Sequence, residues 1–275
     1  MMTFPTNTSH SGPSTALPSL RVRAQQLIRI ESPDEKATQV RCTAEQALPL
    51  DADERLDDLP GIPGRPQRPE LVHPVQLKPR AVGTTEGRAT LIHALAHIEA
   101  NAINLALDVI WRFEGMPERF YRDWLQVAQE EALHFQLLRD HLHTLGYRYG
   151  DFPAHDGLWE MAEKTKHDLT ARLALVPRTL EARGLDVTPA IRNKLISVGD
   201  RAGAGILDII LRDEIGHVAI GNHWYRHLCT GSQLDHVSTY AKLAQTYGAK
   251  PLKGPFNFDA RRAAGFDETE LALLR

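Results

Sequence analysis

Two short stretches carry a glutamate and a histidine three positions apart: Glu130-Glu131-Ala132-Leu133-His134 and Asp213-Glu214-Ile215-Gly216-His217. Positions i and i+3 are neighbours on a helix surface, so within a helix each pair presents a carboxylate beside an imidazole. Two further stretches of helical character each carry a lone glutamate, Glu99 and Glu181, on an otherwise apolar face. One Glu from each of two helices plus an E-x-x-H from each of two others is the ligand set of a di-iron or di-manganese site in a four-helix bundle. A mixed nitrogen and oxygen set suits Fe(II), with Mn(II) as the alternative.

The E-x-x-H spacing alone is weak evidence, because chance predicts about one such pair at this composition. Glu70-Leu71-Val72-His73 is a coincidence of that kind: Pro69 and Pro74 flank it and exclude a regular helix. The other two pairs lie mid-helix on apolar stripes, and each follows a lone glutamate at matched spacing. Glu131 comes 32 residues after Glu99, and Glu214 comes 33 after Glu181. Buried carboxylates are costly unless they are paired or bound to a metal. The inner faces of the first, second and fourth helices carry no Lys or Arg, which leaves Arg178 as a candidate counter-charge. Two divalent cations would balance four glutamates. The competing reading, that these glutamates are solvent-exposed, has to explain four of them and two histidines in phase.

The elements that must position these residues follow from local signals. Residues 1–18 are rich in Ser, Thr and Pro and are expected to be disordered. Residues 19–83 form an N-terminal extension. Ser32-Pro33-Asp34-Glu35 starts a short helix running to about Ala47, and the prolines between 59 and 80 give an extended wrap. Residues 84–230 hold the all-α bundle. Its first helix is capped by Thr84 or Thr85, runs to Phe113 and is about 39 Å long. Gly115-Met116-Pro117 turns the chain into a second helix over Glu118–Leu145, antiparallel to the first. Residues 146–157 are long enough for a crossover. A third helix is expected over Leu158–Arg183, stopped by Gly184 and kinked by Pro177. Thr188-Pro189 then starts a fourth helix reaching Leu228, in which Gly199, Gly203 and Gly205 offer places for close approach. Residues 231–275 form a C-terminal extension with a fifth helix over about Gln233–Tyr247.

The 275 residues include 42% hydrophobic positions, enough for a sizeable core. The formal charge of −3 does not favour a nucleic-acid partner. Two cysteines, Cys42 and Cys229, make no disulfide framework, and no segment reads as a secretory signal or a membrane span, so the cytoplasm is the expected location. His93 and His97, and His223 and His227, are i,i+4 pairs off the ligand face, expected in outer polar or surface roles. Tyr147, Tyr149 and Phe152 are expected to line an entrance or anchor the crossover. Trp224 and Tyr225 are expected in the core, and Arg261 and Arg262 hint at anion binding.

The stretches LIHALAHIEANAINLALD, QEEALHFQLL, LVPRTLEARGLDVTP and LRDEIGHVAIGNHW resemble the ferritin-like superfamily of di-iron carboxylate proteins, and within it a bacterial ferritin-like family of unknown function. The resemblance spans about residues 70–265. It implies a ferritin-like four-helix bundle with a long crossover between helices two and three. It also implies that Glu99, Glu131, His134, Glu181, Glu214 and His217 ligate two Fe ions, with Glu131 and Glu181 as bridges. In the superfamily an Asp before the ligand Glu often hydrogen-bonds a ligand His. Asp213 holds that place, and Glu130 stands in the other half, so the outer symmetry looks incomplete. The expected function is an O2- or peroxide-activating oxidoreductase, a hydroxylase or oxygenase acting on a small molecule or modified nucleoside with an external electron donor. A homodimer is left open. Iron handling by a ferroxidase is the alternative, and a non-catalytic helical interaction protein the second.

Overall fold

The computed structural model describes residues 17–43, 48–78 and 80–274. The expected disorder of residues 1–18 lies, up to residue 16, outside the described residues, as does the expected end near residue 47 of the helix begun at Pro33. Among the described residues the protein is all-helical. It has no strand and one isolated parallel bridge, Leu71 to Ala154.

Three long helices dominate: α3 (Thr85–Arg112), α4 (Glu118–Thr144) and α8 (Arg201–Gly231). Thr84 caps α3 by accepting the Gly87 N–H, and the Phe113–Pro117 link folds α4 back along it. From Glu99 to Trp111 every residue of α3 is buried, so this helix has no solvent face over its second half. The cover comes from α1 (Leu20–Ile28), which packs on α3, while α2 (Pro33–Thr43) packs on α4. Ser19 caps α1 by accepting the Val22 N–H. Buried Arg21 then reaches the last carbonyls of α3, donating to Ile110 O at 3.3 Å and Trp111 O at 2.8 Å.

The third expected helix is three pieces. α5 (Gly157–Lys164) ends at a turn, Asp168 caps α6 (Leu169–Leu175), and a π-helical turn, Val176–Glu181, leads into α7 (Ala182–Ser197). Pro177 thus produces a π turn rather than a simple kink. α7 runs through both expected breaks, Gly184 and Thr188-Pro189. Pro189 has no N–H to give Leu185 O, and the side chain of Asn257 donates to that carbonyl instead, at 3.2 Å. The true break is at Val198-Gly199-Asp200, where Gly199 takes φ +82° and Asp200 caps α8. α6 and α7 lie along α8, α3 along α4, and α4 against α8, which makes a bundle-like arrangement. Of the glycines expected to allow close approach, Gly205 faces open space. At Gly203 a Cβ would meet His141 Nε2 of α4 at 3.0 Å, and a closer approach comes at Gly221, where a Cβ would stand 2.7 Å from Pro177 Cβ.

The C-terminal segment contributes α9 (His236–Thr246), α10 (Phe258–Ala263) and α11 (Glu268–Ala272). It docks on α7 and α8 through Arg261 to Asp186 at 2.7 Å and Asn222 to Ala264 O at 2.7 Å. No helix among the described residues is long and apolar enough to cross a membrane.

Candidate metal centre

α4 lies between α3 and α8, so its inner face meets one glutamate from α3 and the D-E-x-x-H stretch of α8. Glu131 stands at the centre, fully buried. Its Oε2 is 3.2 Å from His134 Nδ1, and its Oε1 is 3.0 Å from His217 Nδ1. Glu99 Oε2 flanks the first histidine at 3.6 Å, and Glu214 Oε1 flanks the second at 3.7 Å. The result is two half-sites sharing one carboxylate. Donor atoms of Glu99, Glu131, His134 and Glu214 all fall within 4.8 Å of one another. Glu181, the last residue of the π turn, sits close enough for the charges of Glu214 and Glu131 to act on it.

The outer partners cross between helices. His134 Nε2 meets Asp213 Oδ2 of α8 at 3.1 Å, and His217 Nε2 meets Glu130 Oε2 of α4 at 2.7 Å. In each half the acid preceding the glutamate holds the histidine of the other half. Glu130 therefore does what Asp213 does, and the symmetry that looked incomplete is complete with the longer side chain. An outer carboxylate accepting the Nε2 proton fixes the tautomer and turns the Nδ1 lone pair toward the cluster.

The electrostatics are those of an anionic site short of cations. Burial, then the charge of Glu131, pushes the Glu99 carboxyl well above its usual range. Burial, then Glu214, does the same to Glu181, and burial with Glu131 raises Glu214. Burial opposes charge on the histidines, but the glutamates overcome it: the hydrogen bond to Glu131, with Glu99 close by, raises His134 to about 11, and the charge of Glu131 raises His217 well above its usual value. Glu131 itself is held well below the carboxylate range, burial notwithstanding, by His217 and His134. The buried oxygens Glu99 Oε2, Glu181 Oε2 and Glu214 Oε2 have no hydrogen-bond partner. Among the described residues no Lys or Arg is ion-paired with Glu99, Glu131, Glu181 or Glu214. Buried unpaired oxygens, a shared carboxylate and neutralisable imidazoles are a donor set that fits two divalent cations.

Arg178 does not serve this cluster. It is buried, donates to Asn222 Oδ1 at 2.5 Å and pairs with Glu270 of α11. A π turn advances a side chain by less than 90° per residue, so Arg178 and Glu181 leave the backbone on different sides. The buried Arg172 is the cation whose charge reaches Glu181, although its own partner is Asp108. No local sequence signal singled out Arg172 or Asp108. His93 and His97 are buried rather than superficial. His97 Nδ1 meets Tyr149 Oη at 2.9 Å and Nε2 meets His155 O at 3.2 Å, while His93 Nε2 accepts the Gly150 N–H at 2.9 Å. With Tyr149 and Phe152 packed on His93, this is the anchor of the crossover. His223 and His227 are exposed and flank Trp224, which is in the core with Tyr225. Glu70 and His73 lie exposed on the surface. A second acidic group, His236, Asp267 and Glu270, also has ligand-like spacing, but Arg226 already sits on both carboxylates.

The class the structure defines is an all-helical protein, among its described residues, that buries a carboxylate and imidazole cluster of ligand-like spacing. The chain belongs to the family DUF455, described as a protein of unknown function, whose model matches residues 29–272 and so spans every cluster residue. An uncharacterized protein of Haemophilus influenzae is 48% identical over 259 residues, which cover 89% of each chain. No solved structure matches the chain.

Proposed function

We propose that the chain is a ferritin-like di-metal carboxylate protein. In this reading it holds two iron ions, with manganese as the alternative, and acts as an O2- or peroxide-activating hydroxylase or oxygenase on a small molecule. α3, α4, the α6–α7 stretch and α8 would be the four helices of its bundle. The observation that carries this reading is the Glu131 carboxylate, buried with one oxygen facing each histidine at 3.2 and 3.0 Å. Two irons held there would supply the binding and reduction of O2.

The protein's own residues do the rest. Glu131 shares its two oxygens between the half-sites. Glu99 and His134 complete one, and Glu214 and His217 the other, with Glu181 adding a fourth carboxylate. Asp213 and Glu130 orient the imidazoles through Nε2. Buried Val127, Ala128 and Phe135, one turn either side of Glu131, and Ile210 and Val218, one turn either side of Glu214, keep bulk water away. A dry site strengthens each charge–metal contact.

The test is metal content per chain after anaerobic purification from iron-supplied cells. About two metals in the parent, and marked loss in Glu131→Ala and Glu214→Ala, are expected for such a ligand set. The reduced protein should then consume O2. One metal or none in the parent, with the variants unchanged, overturns the reading. Cage-sized assemblies carrying many irons per chain would replace it with iron storage.

A further inference from the structure

α9 and the segment after it enclose a cavity of about 410 Å3, within the size range of small-molecule sites. Most of its wall is apolar, from Tyr240, Ala244, Leu252 and Phe256. Two arginines line it as well, Arg178 from the π turn and Arg261 from α10, and both are buried, at 3% and 0% exposure. Arg178 uses Nε on Asn222 and Nη2 on Glu270. Arg261 uses Nε and Nη2 on Asp186, at 3.0 and 2.7 Å. In each guanidinium the remaining nitrogen, Nη1, is buried with no partner. The two guanidinium carbons lie on the ring of Phe266, at 5.3 and 5.2 Å from its centroid. Two buried donors without acceptors, on arginines that line one largely apolar cavity, are unfavourable until an acceptor arrives.

The charge balance says what kind of acceptor. Asp186 also meets Arg183 at 3.3 Å, and Arg226 meets both Asp267 and Glu270. Among the described residues Arg178 and Arg226 balance Glu270 and Asp267, while Arg261 and the half-buried Arg183 share the single Asp186, which leaves one positive charge over. Burial also pulls Arg178 below the usual arginine value, against the charge of Glu270. Lys250 stands exposed at the rim and adds a cation where a ligand would enter. We propose that this cavity binds a small monoanionic carboxylate with an apolar body, its carboxylate taken by Arg178 and Arg261 and its body by the aromatic and aliphatic wall. A charge-assisted bond from each guanidinium fits a carboxylate's two oxygens. The two arginines make no hydrogen bond to the glutamates or histidines of the metal cluster, so the site stands whether or not that cluster holds iron.

The experiment is calorimetric titration of the full chain with octanoate, run once with metal chelated and once metal-loaded. Octanamide is the uncharged control and octyl phosphate the dianionic one. Saturable binding of one octanoate per chain is expected in both preparations, with octanamide weaker by at least about tenfold. Ala249→Phe, which fills the cavity and leaves the arginine pairs intact, should weaken octanoate at least about tenfold with unchanged helical circular dichroism. Lys250→Glu, at an exposed position, should weaken octanoate and leave octanamide unchanged, and it serves if Ala249→Phe fails to fold. No saturable octanoate binding, equal binding of octanamide, or parent-like binding by a folded Ala249→Phe overturns the proposal. Tighter binding of octyl phosphate overturns the monoanion assignment.

Discussion

At the scale of single residues, the crossed outer pairs are the sharpest feature. The side chains of Asp213 and Glu130 hydrogen-bond no glutamate of the cluster, yet each holds the Nε2 of a histidine from the opposite helix. Asp213→Asn and Glu130→Gln keep shape and remove the charge that fixes the tautomer. Each is expected to weaken metal binding about 10- to 100-fold, the usual cost of losing an outer carboxylate. Competition with a chromogenic chelator measures it. Loss in one variant and none in the other would break the symmetry drawn here. The gathering of Glu99, Glu131, His134, Glu214 and His217 was legible in the sequence because i,i+3 spacing and apolar stripes are local patterns. The crossing was not, since it depends on α4 and α8 packing face to face. Arg178 shows the same limit. The lack of Lys and Arg on the other inner faces suggested it as the counter-charge, and only the docked C-terminal segment shows Glu270 as its partner.

At the scale of elements, the π turn and α7 place Glu181, and both depend on distant contacts. Gly221 on α8 admits Pro177, because a Cβ there would meet Pro177 Cβ at 2.7 Å. Gly221→Ala forces the turn away from α8, with an overpacking cost of about 1–3 kcal/mol. It should lower the melting temperature and reduce metal content below the parent value, because Glu181 moves with the turn. Full metal content in a destabilised Gly221→Ala would separate the turn from the site. Asn257 is the other remote support, replacing the N–H that Pro189 lacks at Leu185 O. Asn257→Ala leaves that carbonyl bare, at a cost of about 1–3 kcal/mol. In a Pro189→Ala background the backbone N–H of residue 189 can take over, so Asn257→Ala should cost less there. A double-mutant cycle from urea unfolding reads the coupling, and a value near zero would remove this explanation of an unbroken α7. Helix starts at Thr84 and Pro117 could be read ahead because caps and prolines act within one turn. The continuation through Pro189 could not, because the group that satisfies Leu185 O comes from residue 257.

At the scale of the whole molecule, three parts of the chain meet at α3 through His93 and His97. The crossover is anchored on both rings, and the same crossover pairs with the N-terminal extension at the Leu71–Ala154 bridge. Burial lowers each histidine from 6.5 to about 4 in the folded protein. The unfolded chain therefore takes up protons between pH 6.5 and about 4 that the folded chain refuses. The sign follows: stability falls as pH drops through that window and stops falling from this source below it. One such histidine contributes a slope approaching 1.4 kcal/mol per pH unit at the centre of the window. His97→Gln removes one of them and keeps a polar group near Tyr149 and His155. Its stability at neutral pH should be lower than the parent's, through lost packing. Its curve against pH should be flatter between 6.5 and 4 by about one proton's worth, so the two proteins converge in acid. Urea midpoints at four pH values across the window decide it. Parallel curves would mean that His97 titrates alike in both states, and that acid loosens the crossover and its N-terminal wrap through some other group.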